Sequence, residues 1–305
     1  MALQASGTMK YSQIIAEFGT PNNGGLGEFR LGGGENVGSL SNLPLDDGVP
    51  VSGQIKFSDF YSKRLNQVVD LHSIGNNTTR QDAKDRWSNG NVHVVGSTKT
   101  GKTQPPDTID DRVIINVNNT IGSAKGTQTH CALKTGTWDS GTILEIEIGA
   151  SGKLYGAGGD GGDGGSANNG KGEDGGIGSS ALGIQYACTV NNLGVIQSGY
   201  GGGGGGGGRE QTTGGGKKTP AVNNGAPGGG GGGGAGLPAG AAGICPDNAF
   251  GGGTNGDDGE VDTSTGGEGT GGNNGFAIIT NQGSAPSITG GGSFTGRTIT
   301  STNPT

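Results

Sequence analysis

Residues 96–103 read Gly-Ser-Thr-Lys-Thr-Gly-Lys-Thr and fit the pattern G-x-x-x-x-G-K-T. In that pattern a glycine-rich turn and the first amides of a following helix cradle phosphate. The context here is wrong for it. Pro105 and Pro106 follow two residues later, and the residue before a proline is pushed out of the α region. Asp107, Asp110 and Asp111 then add negative charge where phosphates would sit. The segment reads as a solvated loop between two strands. Gly158-Gly159-Asp160-Gly161-Gly162-Asp163 begins like a calcium-binding nonapeptide repeat. That repeat needs a large apolar residue two places after its aspartate, where this chain has Gly165. Asp160 and Asp163 are therefore expected to point outward as solubilising side chains. His72, His93 and His130 have no metal-ligand spacing with Cys131, Cys188 or Cys245. Glu145 and Glu147 share one face of an alternating strand, which is the pattern of a solvated face. No catalytic set, metal site or cofactor is expected, and the chain reads as no enzyme.

Glycine organises the chain. Of its 74 glycines most lie between 156 and 275. They recur every third residue at 156, 159, 162 and 165, with a second set at 158, 161 and 164. The same spacing returns at 172, 175 and 178, and at 266, 269, 272 and 275. Three is the period of a polyproline-II-type helix, which has no internal hydrogen bonds. Collagen would need an unbroken repeat with abundant proline, and only 11 prolines are present. A flexible linker is the second reading, and a bundle of glycine helices paired through their backbones is the third. Ordering each glycine costs roughly 0.5–1 kcal/mol more than ordering alanine. Net gains of about 0.5–1.5 kcal/mol per hydrogen bond offset this only if nearly every amide is paired. Similar block lengths, separated by segments rich in other residue types, favour the bundle.

Hydrophobic residues make up 28% of the 305-residue chain, too few for the glycine region to hold an oily core. The net charge of −7 argues against nucleic acid or an anionic membrane as partner, and no apolar run is long enough to insert in a bilayer. The N-terminus lacks a basic and then apolar signal pattern, so synthesis in a cytoplasm is expected. Three well-separated cysteines imply no disulfide framework.

The expected fold is mostly β and irregular. Residues 1–66 read as a small, loop-rich docking module with short helices. Ser6-Gly7-Thr8-Met9-Lys10-Tyr11-Ser12-Gln13 repeats as Ser52-Gly53-Gln54-Ile55-Lys56-Phe57-Ser58-Asp59, each copy offering a serine to cap a helical turn over 13–18 or 59–63. Tyr11, Ile14, Ile15, Phe18, Phe57, Phe60 and Tyr61 are expected to be exposed and to dock on a partner; a self-contained cap is the alternative. Residues 67–150 form a β-rich domain, with strands at 68–74, 91–95, 112–118 and 142–148. Residues 151–275 form the polyglycine-II bundle, or sandwich, interrupted by strands at 181–187 and 191–197. Residues 276–305 supply closing strands at 276–280 and 297–301.

Function belongs to what interrupts the glycine. Parallel rods gather their turns at two ends, and loops on a rigid scaffold commonly carry binding. The 19 residues 209–227 are far more than a turn requires. Candidate binding residues are Arg209, Glu210, Gln211, Thr212, Lys217 and Lys218 in that loop, with Leu237, Pro238, Ile244, Asp247, Asn248 and Phe250 beyond it. Ice binding by a flat glycine face is disfavoured by the irregular loops and by outward Asp160, Asp163, Glu173 and Asp174.

The run Glu147-Ile148-Gly149-Ala150-Ser151-Gly152-Lys153-Leu154-Tyr155-Gly156-Ala157-Gly158-Gly159, the strand pair through Val195-Ile196 and the octaglycine 201–208 carry a resemblance. Together they resemble the receptor-recognising adhesin at the tip of T-even-type bacteriophage tail fibres. The resemblance covers about 140–275 well and 1–66 loosely, the latter through the Ser-Gly-x-(Met/Ile)-Lys-(Tyr/Phe)-Ser leader similar to that of other tailed-phage structural proteins. It implies a virion protein at the tail or tail-fibre tip whose loops touch a host cell-surface receptor, an outer-membrane protein or glycan. Residues 1–66 would then dock to a tail-fibre, baseplate or tail-tip protein. A purely structural tail, fibre or baseplate component is the alternative.

Overall fold

The computed structural model describes residues 3–18, 26, 53–62, 66–71, 80–83, 85, 92–94, 112–138, 140–166, 171–207, 230–244, 269–281, 286–300 and 302–305. The architecture is mostly β, in parallel sheets, with little helix.

Three sheets are built by a chain that visits them in turn. β1 (Asn66–Asp70) opens the first sheet, and β2 (Gln81–Asp82) lies at one edge of the third. β3 (Val92–Val94) pairs antiparallel with β1 and closes that edge of the first sheet. Four full coils follow, each giving one strand to each sheet. The first is β4 (Arg112–Val117), β5 (Thr120–Ile121) and β6 (Cys131–Lys134). The second is β7 (Ile143–Ile148), β8 (Lys153–Tyr155) and β9 (Ser180–Ile184). The third is β10 (Cys188–Asn192), β11 (Val195–Gln197) and β12 (Phe276–Thr280). The last is β13 (Ser287–Thr289), β14 (Ser293–Thr295) and β15 (Arg297–Ile299). Each strand pairs in parallel with its counterpart in the next coil. The result is a three-sided β-solenoid, with boundaries at 150 and 275 falling inside its second and third coils.

The solenoid holds the apolar core. Because side chains alternate along a strand and parallel strands stack in register, like positions fall above one another. Ile115, Ile146 and Val190 form one ladder, Ile121, Leu154 and Ile196 a second, and Leu133, Leu182 and Ile278 a third. All nine belong to one buried cluster. Each such side chain is worth about 1.5–3 kcal/mol when fully buried.

Corners between the first two sheets use glycine because backbones there nearly touch. A Cβ on Gly152 would stand 2.2 Å from the Val117 oxygen, and one on Gly194 would stand 2.0 Å from the Gly152 oxygen. One coil's corner rests on the one below it.

The N-terminal repeat is structural. α1 (Tyr11–Phe18) and a 3₁₀ turn (Phe57–Phe60) start at equivalent places. Gly7 and Gly53, also equivalent, both adopt positive φ, at 95° and 78°. The caps are not the serines. Lys10 N donates to Gln13 Oε1 and Lys56 N to Asp59 Oδ2, each at 2.7 Å. A side chain three residues into a turn reaches back to the amide before it, and this leaves Ser12 and Ser58 inside the first turn. Ile14 and Phe60 are also equivalent, and both are fully buried rather than exposed. With Met9 they form a small core of their own, flanked by Leu3, Tyr11, Leu26, Ile55 and Tyr61. Of the seven residues expected on a docking face, Phe57 is 40% exposed, Tyr11, Ile15 and Tyr61 are half-buried, and the Phe18 side chain lies outside what the structure describes.

Candidate functional site

The glycine-rich segments leave the solenoid between its second and third sheets. In the second coil, rod one (156–166) runs out from β8 and rod two (171–179) returns to β9. In the third coil, rod three (198–207) runs out from β11, rods four (230–236) and five (238–244) turn back and out again, and rod six (269–275) returns to β12.

Backbone hydrogen bonds join these rods at every third residue. Gly156, Gly159, Gly162 and Gly165 donate to Gln197, Tyr200, Gly203 and Gly206, on rod three and the end of β11 leading into it. Gly158, Gly161 and Gly164 donate to Pro238, Ala241 and Ile244 on rod five. Gly199, Gly202 and Gly205 donate to Ser179, Gly176 and Glu173 on rod two, and Gly269, Gly272 and Gly275 donate back to those same three residues of rod three. Rod one thus bonds rods two, three, four and five, while rod three bonds rods one, two, four and six. These neighbours fit only as two layers: rods five, one and two over rods four, three and six. No apolar side chain could sit between them. A Cβ on Gly159 would lie 2.0 Å from the Gly176 oxygen, and one on Gly202 would lie 2.0 Å from the Asp160 oxygen.

Two layers leave the outward amides of each rod without a backbone partner, and side chains fill part of that gap. Ala241 N and Ile244 N on rod five donate to Asp160 Oδ1 and Asp163 Oδ1 on rod one, both at 2.6 Å. Thr270 N donates to Asp174 Oδ1 at 2.7 Å, and Gly201 N to Asn274 Oδ1 at 2.8 Å. Asp160 also pairs with Lys125 at 2.6 Å, which ties the bundle to the solenoid. These aspartates, expected only to solubilise, brace one rod against the next. The Lys125 ammonium and the Ala241 amide hold the Asp160 carboxyl below its ordinary value. Hydrogen bonds from Thr270 do the same for Asp174.

The two ends of the bundle differ. At the solenoid end, Leu237 N donates to Gly156 O, Ser123 N to Leu237 O and Gly158 N to Pro238 O, all at 2.9 Å. Leu237 lies so close over the solenoid that a Cβ on Gly122 would meet its oxygen at 2.6 Å. At the far end, Gly164 N bonds Ile244 O, Gly165 N bonds Gly206 O and Gly269 N bonds Gly205 O, at 2.8–2.9 Å. The chain therefore leaves and re-enters the bundle at one place for three connections: 167–170, 208–229 and 245–268. Ile244, at the start of the last, is 64% exposed.

A family model for the phage tail fibre adhesin Gp38 matches residues 86–303, which is more than half of the chain and includes all six rods. The chain belongs to the phage tail fibre adhesin family. No curated protein and no solved structure matches it.

Within the adhesin, the candidate residues separate by position. Ile244 is at the far end, whereas Leu237 and Pro238 are at the root. Arg209, Glu210, Gln211, Thr212, Lys217, Lys218, Asp247, Asn248 and Phe250 lie outside the described residues, as do 96–103 and Cys245. Burial pushes the thiols of Cys131 and Cys188 up to about 12, so both are protonated at neutral pH. Glu147 receives a 2.7 Å hydrogen bond from Asn191 Nδ2 on the neighbouring strand. Among the described residues no group of three His, Cys, Asp or Glu is arranged to hold a metal ion, and no helix is long and apolar enough to cross a membrane.

Proposed function

We propose that this tail adhesin recognises a host cell-surface receptor through the connections at the far end of its glycine bundle, and that the bundle is a polyglycine-II sandwich. The observation that carries the proposal is the three-residue hydrogen-bond register. It brings the described ends of two long, sequence-diverse connections and one short one to one place, on a support whose interior tolerates no side chain. A support of that kind holds the connections rigidly while imposing no sequence on them. Arg209, Glu210, Gln211, Thr212, Lys217 and Lys218 would supply charged and polar contacts. Ile244 and Phe250 would supply apolar anchors, beside Asp247 and Asn248. Leu237 and Pro238, at the root, would serve to position rods four and five. Residues 1–66 would join the adhesin to its tail partner, with Phe57, Tyr11, Ile15 and Tyr61 among the contacts.

Replacing residues 209–227 with a short glycine-serine turn tests the reading. Adsorption of phage carrying the variant to susceptible cells is expected to fall at least tenfold, with the melting profile of the purified protein unchanged. Unaltered adsorption and host range would assign the role to another surface, and the protein would then be read as a structural tail component.

A further inference from the structure

A second surface has the make-up of a ligand site, and it lies at the root of the bundle rather than at its far end. In β8 and β11, Leu154 and Ile196 point into the core, so Lys153, Tyr155 and Gln197 stand on the outer face of the second sheet. The parallel register sets Tyr155 directly beside Gln197, and Lys153 beside Thr120 of β5. The Gly236–Leu237 turn closes one side, and the six residues enclose an open cavity of about 380 Å³. That volume is within the roughly 300–1,000 Å³ of small-molecule sites. The platform is rigid: same-face residues lie about 7 Å apart along a strand, and neighbouring strands about 4.8 Å apart. Together they span the footprint of one pyranose ring.

The chemistry of the lining is selective. Tyr155 offers an aromatic ring with a hydroxyl tip, Gln197 offers a donor and an acceptor on one amide, and Lys153 offers a cation. Among the described residues no carboxylate pairs with Lys153, although the chain carries a net charge of −7. An aromatic ring gives the C–H face of a sugar a surface to stack on, an amide bridges two neighbouring hydroxyls, and an unneutralised ammonium favours an acid group. We infer that this cavity binds a monosaccharide unit bearing a carboxylate or phosphate, at a lateral site separate from the far-end connections. The inference goes beyond the proposed receptor reading and does not rest on it.

Saturation-transfer NMR with the full-length protein tests it. The probes are galacturonic acid and glucose 6-phosphate, with galactose and glucose as neutral counterparts. Transfer to at least one acidic sugar is expected, and which one responds separates a carboxylate ligand from a phosphate ligand. Lys153→Met should weaken acidic-sugar binding about tenfold, the change that one charge-assisted contact typically makes. Tyr155→Ala should abolish it. Both side chains are on the outer sheet face, so the melting profile should not move. A protein with residues 209–227 replaced should bind these sugars like the original, which separates this test from the adsorption test. No transfer to any of the four sugars, or acidic-sugar binding unchanged in Lys153→Met, would overturn the assignment.

Discussion

The solenoid and the glycine bundle solve the same problem by opposite means. Both stack successive passes of chain side by side and pair their backbones. The solenoid uses a period of two: one set of side chains fills a core, and the other faces out. Its stability comes from apolar area, with the ladders through Ile146, Leu154 and Leu182 at its centre. The bundle uses a period of three and has no core. Its rods approach until carbonyl oxygens occupy the space a Cβ would need, and the gain comes from hydrogen bonds and close contact. The difference predicts how each region tolerates change. A core of aliphatic side chains repacks and loses stability in steps, whereas a contact between two backbones has nothing that can move aside.

The sharpest way to break that comparison is a pair of substitutions one residue apart on rod three. Gly202→Ala places a Cβ 2.0 Å from the Asp160 oxygen, a backbone atom of rod one. Gly203→Ala meets nothing closer than 3.4 Å. Gly202→Ala is expected to cost more than the roughly 1–3 kcal/mol of ordinary overpacking and to expose the amides of rods one, two and three to hydrogen exchange together. Gly203→Ala should stay within about 1 kcal/mol of the original, because the backbone-entropy gain of losing a glycine partly offsets any adjustment. Equal protection in the two variants would mean that the rods are not packed in this register.

The solenoid supplies the graded counterpart. Ile146 is fully buried at the middle of its ladder, between Ile115 and Val190. Ile146→Val should cost about 0.5–1.5 kcal/mol and Ile146→Ala about 2–5 kcal/mol, measured by chemical denaturation. The rods spring from the coils this residue supports, so their amides should lose protection only in step with global unfolding. A bundle that opened first in Ile146→Ala would show that the two regions are less coupled than the Lys125–Asp160 pair and the Leu237 contacts suggest.

What was legible in the sequence follows the same division. Long strands showed themselves: Leu144-Glu145-Ile146-Glu147-Ile148 alternates, and Phe276–Thr280 is a dense apolar run. The three-residue glycine period was visible because a contact between backbones demands glycine at fixed intervals. The solenoid was not visible as a whole. β5, β8 and β14 have two or three residues each, too few for any periodicity to register. Only the parallel pairing across coils, with β11 between β8 and β14, makes them one sheet. The glycine insertions hid the coil repeat further, by setting β11 and β12 far apart in sequence. A signal was present at the corners, where Gly152 and Gly194 each stand just before a triplet with one central core residue, Leu154 or Ile196. The bracing role of Asp160, Asp163 and Asp174 was hidden for another reason. It depends on which rod is the neighbour, and a period cannot tell that. Lys153, Tyr155 and Gln197 were passed over likewise, because only the parallel register brings them together.

The smallest effect concerns those braces, and acid isolates it. Asp160 and Asp174 have carboxyls held below their ordinary value in the folded protein, by Lys125 and Ala241 in one case and by Thr270 in the other. The unfolded chain therefore binds protons more readily at these positions than the folded one. Stability from this source is fully present above the ordinary value near 3.8 and is lost as pH falls through the lower folded values. Both side chains are well exposed, so solvent screens the interactions and the change is modest. A double variant, Asp160→Asn with Asp174→Asn, keeps an acceptor oxygen for Ala241 N and Thr270 N but removes the titrating group. At neutral pH its melting temperature should change little, with the lost Lys125 pair as the main debit. Between pH 5 and pH 2 it should fall less steeply than the original. An unchanged slope would show that the carboxylates carry no stability of their own, and that the outer faces of the rods rely on neighbouring backbone alone.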